Sequence, residues 1–162
     1  MIRNQREAFS LITAIFMIAL MASIAIYVMS LSGKIVKETT TQYKKEQAIL
    51  LAKSYTELAI MTVSANDRNA TGQCITDINA NVGPSNPATS GEGYRVRTRI
   101  SYIGAANDIQ NCADTRELDY PSAGNNELNI IVDVYVEYKD IIQGNITTSP
   151  WITYHRRTLQ KI

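Results

Sequence analysis

From Ala8 to Leu31 the chain runs through 24 residues without a formal charge, AFSLITAIFMIALMASIAIYVMSL, whose polar side chains are the hydroxyls of Ser10, Thr13, Ser23, Ser30 and Tyr27. A helix of this length, rising about 1.5 Å per residue, covers the roughly 30 Å hydrocarbon core of a bilayer. A cleaved secretory signal would have a shorter apolar stretch, about 7 to 15 residues, ending in small residues. This run is longer and lacks that ending, so it is expected to stay attached as a transmembrane helix. A buried core helix of a soluble domain would instead show a polar stripe.

The pattern then changes period without breaking. Gly33 is the one weak point; from Lys34 to Ser64 there is no Pro and no further Gly. Ala48, Leu51, Ala52, Tyr55, Leu58, Ala59 and Thr62 recur at intervals of three or four, opposite Lys45, Gln47, Lys53 and Glu57. The spacing predicts an amphipathic continuation of the helix, laid against a sheet. At Asn66 the composition shifts to NDRNATGQC and NANVGPSNPATSGEG, which ends the helix and predicts a long loop with a short element around Cys74 to Asn79. Strand alternation follows. Tyr94, Val96, Thr98, Ile100 and Tyr102 alternate with Arg95, Arg97, Arg99 and Ser101. Leu128, Ile130, Val132, Val134, Val136 and Tyr138 alternate with Asn129, Ile131, Asp133, Tyr135 and Glu137. A third run covers Trp151 to Leu159, and Asp119 to Asn126, with Pro121 and Gly124, reads as the connection before the second strand. The expected fold class is α+β: a long N-terminal helix, its first half transmembrane, packed on a small three- or four-stranded antiparallel sheet. The expected divisions are a leader at 1–8, the membrane half of the helix at 9–31, its amphipathic half at 32–65 and an extracytoplasmic head at 66–162.

Composition narrows this picture. A chain of 162 residues with 45% hydrophobic content suits one modest domain and an appendage. Its 16 basic and 15 acidic residues leave no global pull towards nucleic acid or anionic surfaces. The two cysteines, Cys74 and Cys112, fit a single disulfide in an oxidising compartment, because they form neither a C-x-x-C nor a Cys/His arrangement. The head is therefore expected outside the cytoplasm, with the short N-terminus inside. Lysines and arginines flank the span on both sides, so charge asymmetry does not fix that orientation. No catalytic set emerges: His155, the one histidine, has no Cys, Ser or carboxylate at a recognised spacing and reads as a rim residue. The chain is not expected to be an enzyme or to hold a cofactor or metal. The Asn107 to Glu127 stretch, rich in oxygen ligands, could take calcium, but its spacing is not diagnostic.

The run Gln5-Arg6-Glu7-Ala8-Phe9-Ser10-Leu11-Ile12 resembles the cleavage and methylation signal of type IV prepilins and type II secretion pseudopilins. The shared features are a short basic leader, a small residue, then Phe, a hydroxyl residue, Leu and Ile opening a long apolar helix. The resemblance implies that a prepilin peptidase cuts between Ala8 and Phe9 and that the amine of Phe9 is then methylated. It implies a pilin-like fold, partners met through the N-terminal helix in a filament, and an assembly platform in the bacterial inner membrane, with the head in the periplasm. Two positions depart from the family pattern: Ala8 replaces the usual Gly, and Thr13 replaces the usual Glu of the fifth mature residue. The glutamate is thought to pair with the N-terminal amine of an adjacent subunit, which threonine cannot do. The resemblance thus implies a minor pilin or pseudopilin, in a tip or priming position. The alternative is a solitary membrane-anchored periplasmic binding module. Arg95, Arg97 and Arg99 project from one strand face at about 6.5 to 7 Å intervals, a spacing that matches phosphates. Interleaved cations of this kind more often serve solubility, so nucleic acid is not the expected partner.

Overall fold

The computed structural model describes residues 3–67, 72–84, 86–112, 114–117, 128–140, 146 and 148–162, with side chains from Leu11 onward and without those of residues 107 and 108. One helix, α1, runs unbroken over Arg3–Ala65. The chain forms two compact units, the first ending at Tyr43 and the second spanning Lys44–Ile162.

In the first unit, hydroxyl side chains are absorbed by the helix itself. Ser23 donates to the Leu20 carbonyl at 2.8 Å and Ser32 to that of Val28 at 3.0 Å. Thr39, Thr40 and Thr41 donate to Ile35, Val36 and Lys37. This back-bonding satisfies the hydroxyls within the helix, whatever surrounds it. Gly33 lies mid-helix with open space around it, so the helix continues through it at a cost of about 1 kcal/mol relative to Ala.

The second unit, here called the head, is built on the remainder of α1. Its buried stripe is Ala48, Ala52, Thr56, Ala59 and Val63. The expected face is displaced slightly: Leu58 is 39% exposed and Thr56 takes the buried place. Thr56 can be buried because its hydroxyl donates to the Ala52 carbonyl at 2.7 Å. Three alanines in this stripe let the helix lie close to the strands.

Five strands form one sheet: β1 (Asp77–Val82), β2 (Tyr94–Gly104), β3 (Thr115–Glu117), β4 (Asn129–Lys139) and β5 (Trp151–Lys161). The order β1-β2-β4-β5 is antiparallel throughout. β3 lies parallel to Tyr102–Gly104 of β2, beyond the part of β2 that β1 covers. The expectation of three or four antiparallel strands is thus corrected to five, one of them parallel. β3 escapes a sequence reading because its three residues are all exposed and show no alternation. The short element expected from Cys74 is corrected to β1, which starts at Asp77. The expected connection from Asp119 to Asn126 lies outside the described residues.

Inward residues follow the period of two. Tyr94, Val96, Thr98, Ile100 and Tyr102 of β2 are buried, as are Leu128, Ile130, Val132, Val134, Val136 and Tyr138 on and beside β4. Between β1 and β2, a one-turn helix α2 (Pro87–Ser90) starts at Asn86, whose side chain accepts from the Ala88 amide, and stops at Gly91 with φ 72°. Where the two strands meet this turn, a Cβ at Gly93, with φ +85°, would lie 2.5 Å from the Val82 carbonyl oxygen. Only glycine fits there. After β2, a second turn of helix, α3 (Ala106–Ile109), buries Ile109.

Candidate functional site

Two surfaces stand apart from the core. The first is the apolar part of α1. From Leu11 to Leu31 its large apolar side chains are open, from 40% at Leu31 to 80% at Met29. It is the one helix among the described residues that is long and apolar enough to cross a membrane. An apolar surface this extensive is not left in water by a soluble protein and requires lipid or other apolar helices around it. Thr13 lies on this exposed stretch. Ala8 and Phe9 lie on the α1 backbone, and their side chains fall outside the described residues.

The second surface is the sheet face turned away from α1. Register decides its chemistry, because Arg95 stands opposite Glu137, Arg99 opposite Asp133, and Asp133 in turn opposite Arg157. Glu137 is buried, and Arg95 donates to it through Nε at 2.6 Å while Arg97 donates to its other oxygen. Arg99 pairs with Asp77 at 2.7 Å and donates to Asn79 at 3.0 Å. Asp133, also buried, takes two hydrogen bonds from Arg157, both 2.8 Å, and one from His155 Nε2 at 2.7 Å. His155 stacks on Tyr135 with ring centroids 4.4 Å apart. Trp151 lies beneath the Arg95 guanidinium at 4.5 Å and near the Lys139 ammonium at 5.3 Å.

Pairing across the strands adds to the sequence reading in two places. Arg95, Arg97 and Arg99 are not a bare cationic row: Arg95 and Arg97 share the carboxylate of Glu137 and Arg99 pairs with Asp77, so two acids offset part of the charge of three guanidinia. His155 does have a carboxylate partner, supplied by β4 and invisible to spacing along the chain. The signal that could have found both is the pair of acids, Asp133 and Glu137, on a strand made mostly of apolar residues. Arg156 is set apart from its neighbour Arg157 by strand alternation: it falls on the helix-facing side, in one row with Thr98 and Val134.

The Arg157 guanidinium holds the Asp133 carboxyl below the usual carboxylate range, with His155 acting in the same sense and burial opposing both. A carboxyl whose folded pKa is depressed binds fewer protons in the folded chain than in the unfolded one. Its stabilising contribution is therefore fully present above about pH 4 and is lost as pH falls through the folded value. Asp133→Asn is expected to lower head stability at neutral pH and to flatten its decline in acid. Urea unfolding midpoints of both proteins, measured from about pH 7 down to pH 2, should converge at the acid end.

Cys74 and Cys112 are joined by a disulfide with 5.0 Å between Cα atoms. A groove of about 490 Å³ lies between Gln47, Leu50, Leu51 and Ser54 of α1 and the turn from Val82 to Pro84, with Gly93 and Tyr94 as floor. The Tyr94 hydroxyl donates to Gln47 Oε1 at 2.8 Å at its side. Among the described residues no group of three or more His, Cys, Asp or Glu side chains gathers as a metal would need. Most of the Asn107 to Glu127 stretch considered for calcium falls outside them; its Asp114, Arg116 and Glu117 are exposed. No family model, no curated protein and no solved structure matches this chain. The chain is defined by its architecture: a helix long and apolar enough to cross a membrane, and a disulfide-bonded α+β head.

Proposed function

We propose that the chain is a minor pilin or pseudopilin, a structural subunit of a type IV pilus or type II secretion pseudopilus in the bacterial inner membrane. The observation that carries this reading is the apolar stretch of α1 that follows Ala8-Phe9-Ser10-Leu11-Ile12, exposed from Leu11 onward and continuous with the helix on which the head is built. Its function is packing: the apolar surface rests in lipid before assembly and against the helices of neighbouring subunits afterwards, exchanging one apolar environment for another. Thr13 carries no charge to pair with an incoming amine, which suits a priming or tip subunit more than the bulk component.

The test is processing. In cells with an active prepilin peptidase, intact-mass measurement of the membrane-extracted chain is expected to show loss of Met1–Ala8 and one methyl group on the Phe9 amine. Ala8→Leu should block both changes. Retention of Met1 beside a working peptidase would overturn the proposal and leave a solitary membrane-anchored module. Quantitative proteomics of purified filaments tests the position: an abundance matching the major subunit excludes a priming role.

A further inference from the structure

β5 ends the sheet among the described residues, and its outer edge has a definable hydrogen-bonding pattern. The bonds Ile162 N to Leu128 O at 2.8 Å and Asp140 N to Pro150 O at 3.3 Å bracket the β4–β5 ladder. Both involve even-numbered positions on the β5 side, so the even residues face β4. In an antiparallel pair the alternate residues then turn their N–H and C=O groups outward. Those residues are Trp151, Thr153, His155, Arg157 and Leu159, and beyond the sheet's own pairing no described backbone group meets them.

A second observation lies on the same edge. Four of the five arginines on β2 and β5 have a carboxylate partner: Arg95, Arg97, Arg99 and Arg157. Arg156 has no acceptor among the described residues, and its Nε is buried. A guanidinium nitrogen withdrawn from water without a partner is costly, and carboxylates match its geometry best. Identical edges are a poor match, because two copies of β5 would bring His155, Arg156 and Arg157 against one another.

We propose that the β5 edge is a strand-addition site for an extended acidic segment of a partner protein, whose backbone pairs with the outward rungs and whose carboxylate meets Arg156. The segment continues the sheet by one strand, with the carboxylate on the helix-facing side beside Tyr154 and Thr158. Backbone pairing supplies adhesion that tolerates many sequences; Arg156 supplies the choice of charge.

The test uses the full chain in detergent micelles and a blocked peptide of about nine residues, alternating valine and threonine with one central valine replaced by glutamate. The glutamate peptide is expected to bind about tenfold more tightly than its glutamine counterpart. It should slow amide exchange, read by NMR, at Thr153, His155, Arg157 and Leu159 while leaving the even residues unchanged. Arg156→Gln should abolish the preference for glutamate while retaining weak binding. Thr153→Pro, which removes an outward N–H and no bond to β4, should abolish binding of both peptides. Equal affinity of the two peptides for the parent chain, absence of protection at the odd amides, or survival of binding in Thr153→Pro would each overturn the proposal. Protection of the same amides that grows with protein concentration alone would overturn it in favour of a second copy.

Discussion

Replacing Cys74 and Cys112 together by serine is expected to lower head stability by about 4 kcal/mol, the loop-closure entropy of a cross-link over 38 residues. The bridge ties the segment between α1 and β1 to the segment that follows α3, and both sulfurs pack partly buried against the core. Neither segment has a ladder of its own to hold it. The loss is a large share of the stability of a small domain and should lower its midpoint of thermal unfolding by on the order of 15 °C. Differential scanning calorimetry of the oxidised chain and the double serine variant measures it, and an unchanged midpoint would show that the loops are held by packing alone.

Tyr102→Ala should have an effect of similar size. Tyr102 is fully buried, and its hydroxyl donates to the Ile75 carbonyl at 2.7 Å, one residue from Cys74. Truncating a buried aromatic ring costs about 3 to 5 kcal/mol, while Tyr102→Phe, which leaves the Ile75 carbonyl without its donor, costs about 1 kcal/mol. Ring and disulfide hold the same stretch of chain, so their losses should not add: removing both should cost less than the sum of the two. Urea unfolding of the single and combined variants gives the coupling directly, and strict additivity would mean that the two act on separate parts of the head.

The parts of the fold that were legible in the sequence are those with a long, uninterrupted period. β2 and β4 each run for 11 residues with apolar side chains at alternate positions facing the core, and α1 has no proline to stop it before Ala65. β3, α2 and α3 were not legible, because elements of three or four residues place too few side chains in the core to show any period. The helix face was misread at Leu58, which is exposed, and at Thr56 and Val63, which are buried; for Thr56 the reason is definite, because a threonine that bonds to its own helix behaves as a small apolar residue. The sheet's outer face was least legible. Alternation shows that Arg95, Arg97 and Arg99 share a face, but whether they meet water or a carboxylate depends on register, which is set by strands 20 to 42 residues away.

The buried stripe of α1 implies two rules of inheritance written on a single helix. Between Leu11 and Leu31 every described side chain is exposed, so leucine, isoleucine, valine and methionine are interchangeable there and identity can drift between generations while polarity is held. At Ala48, Ala52 and Ala59, each with no accessible surface, an added methylene has nowhere to go and pushes helix from sheet. Identity at those three positions is frozen by volume, so a mutational scan should find tolerance switching from chemical kind to physical size within one turn of Ala48.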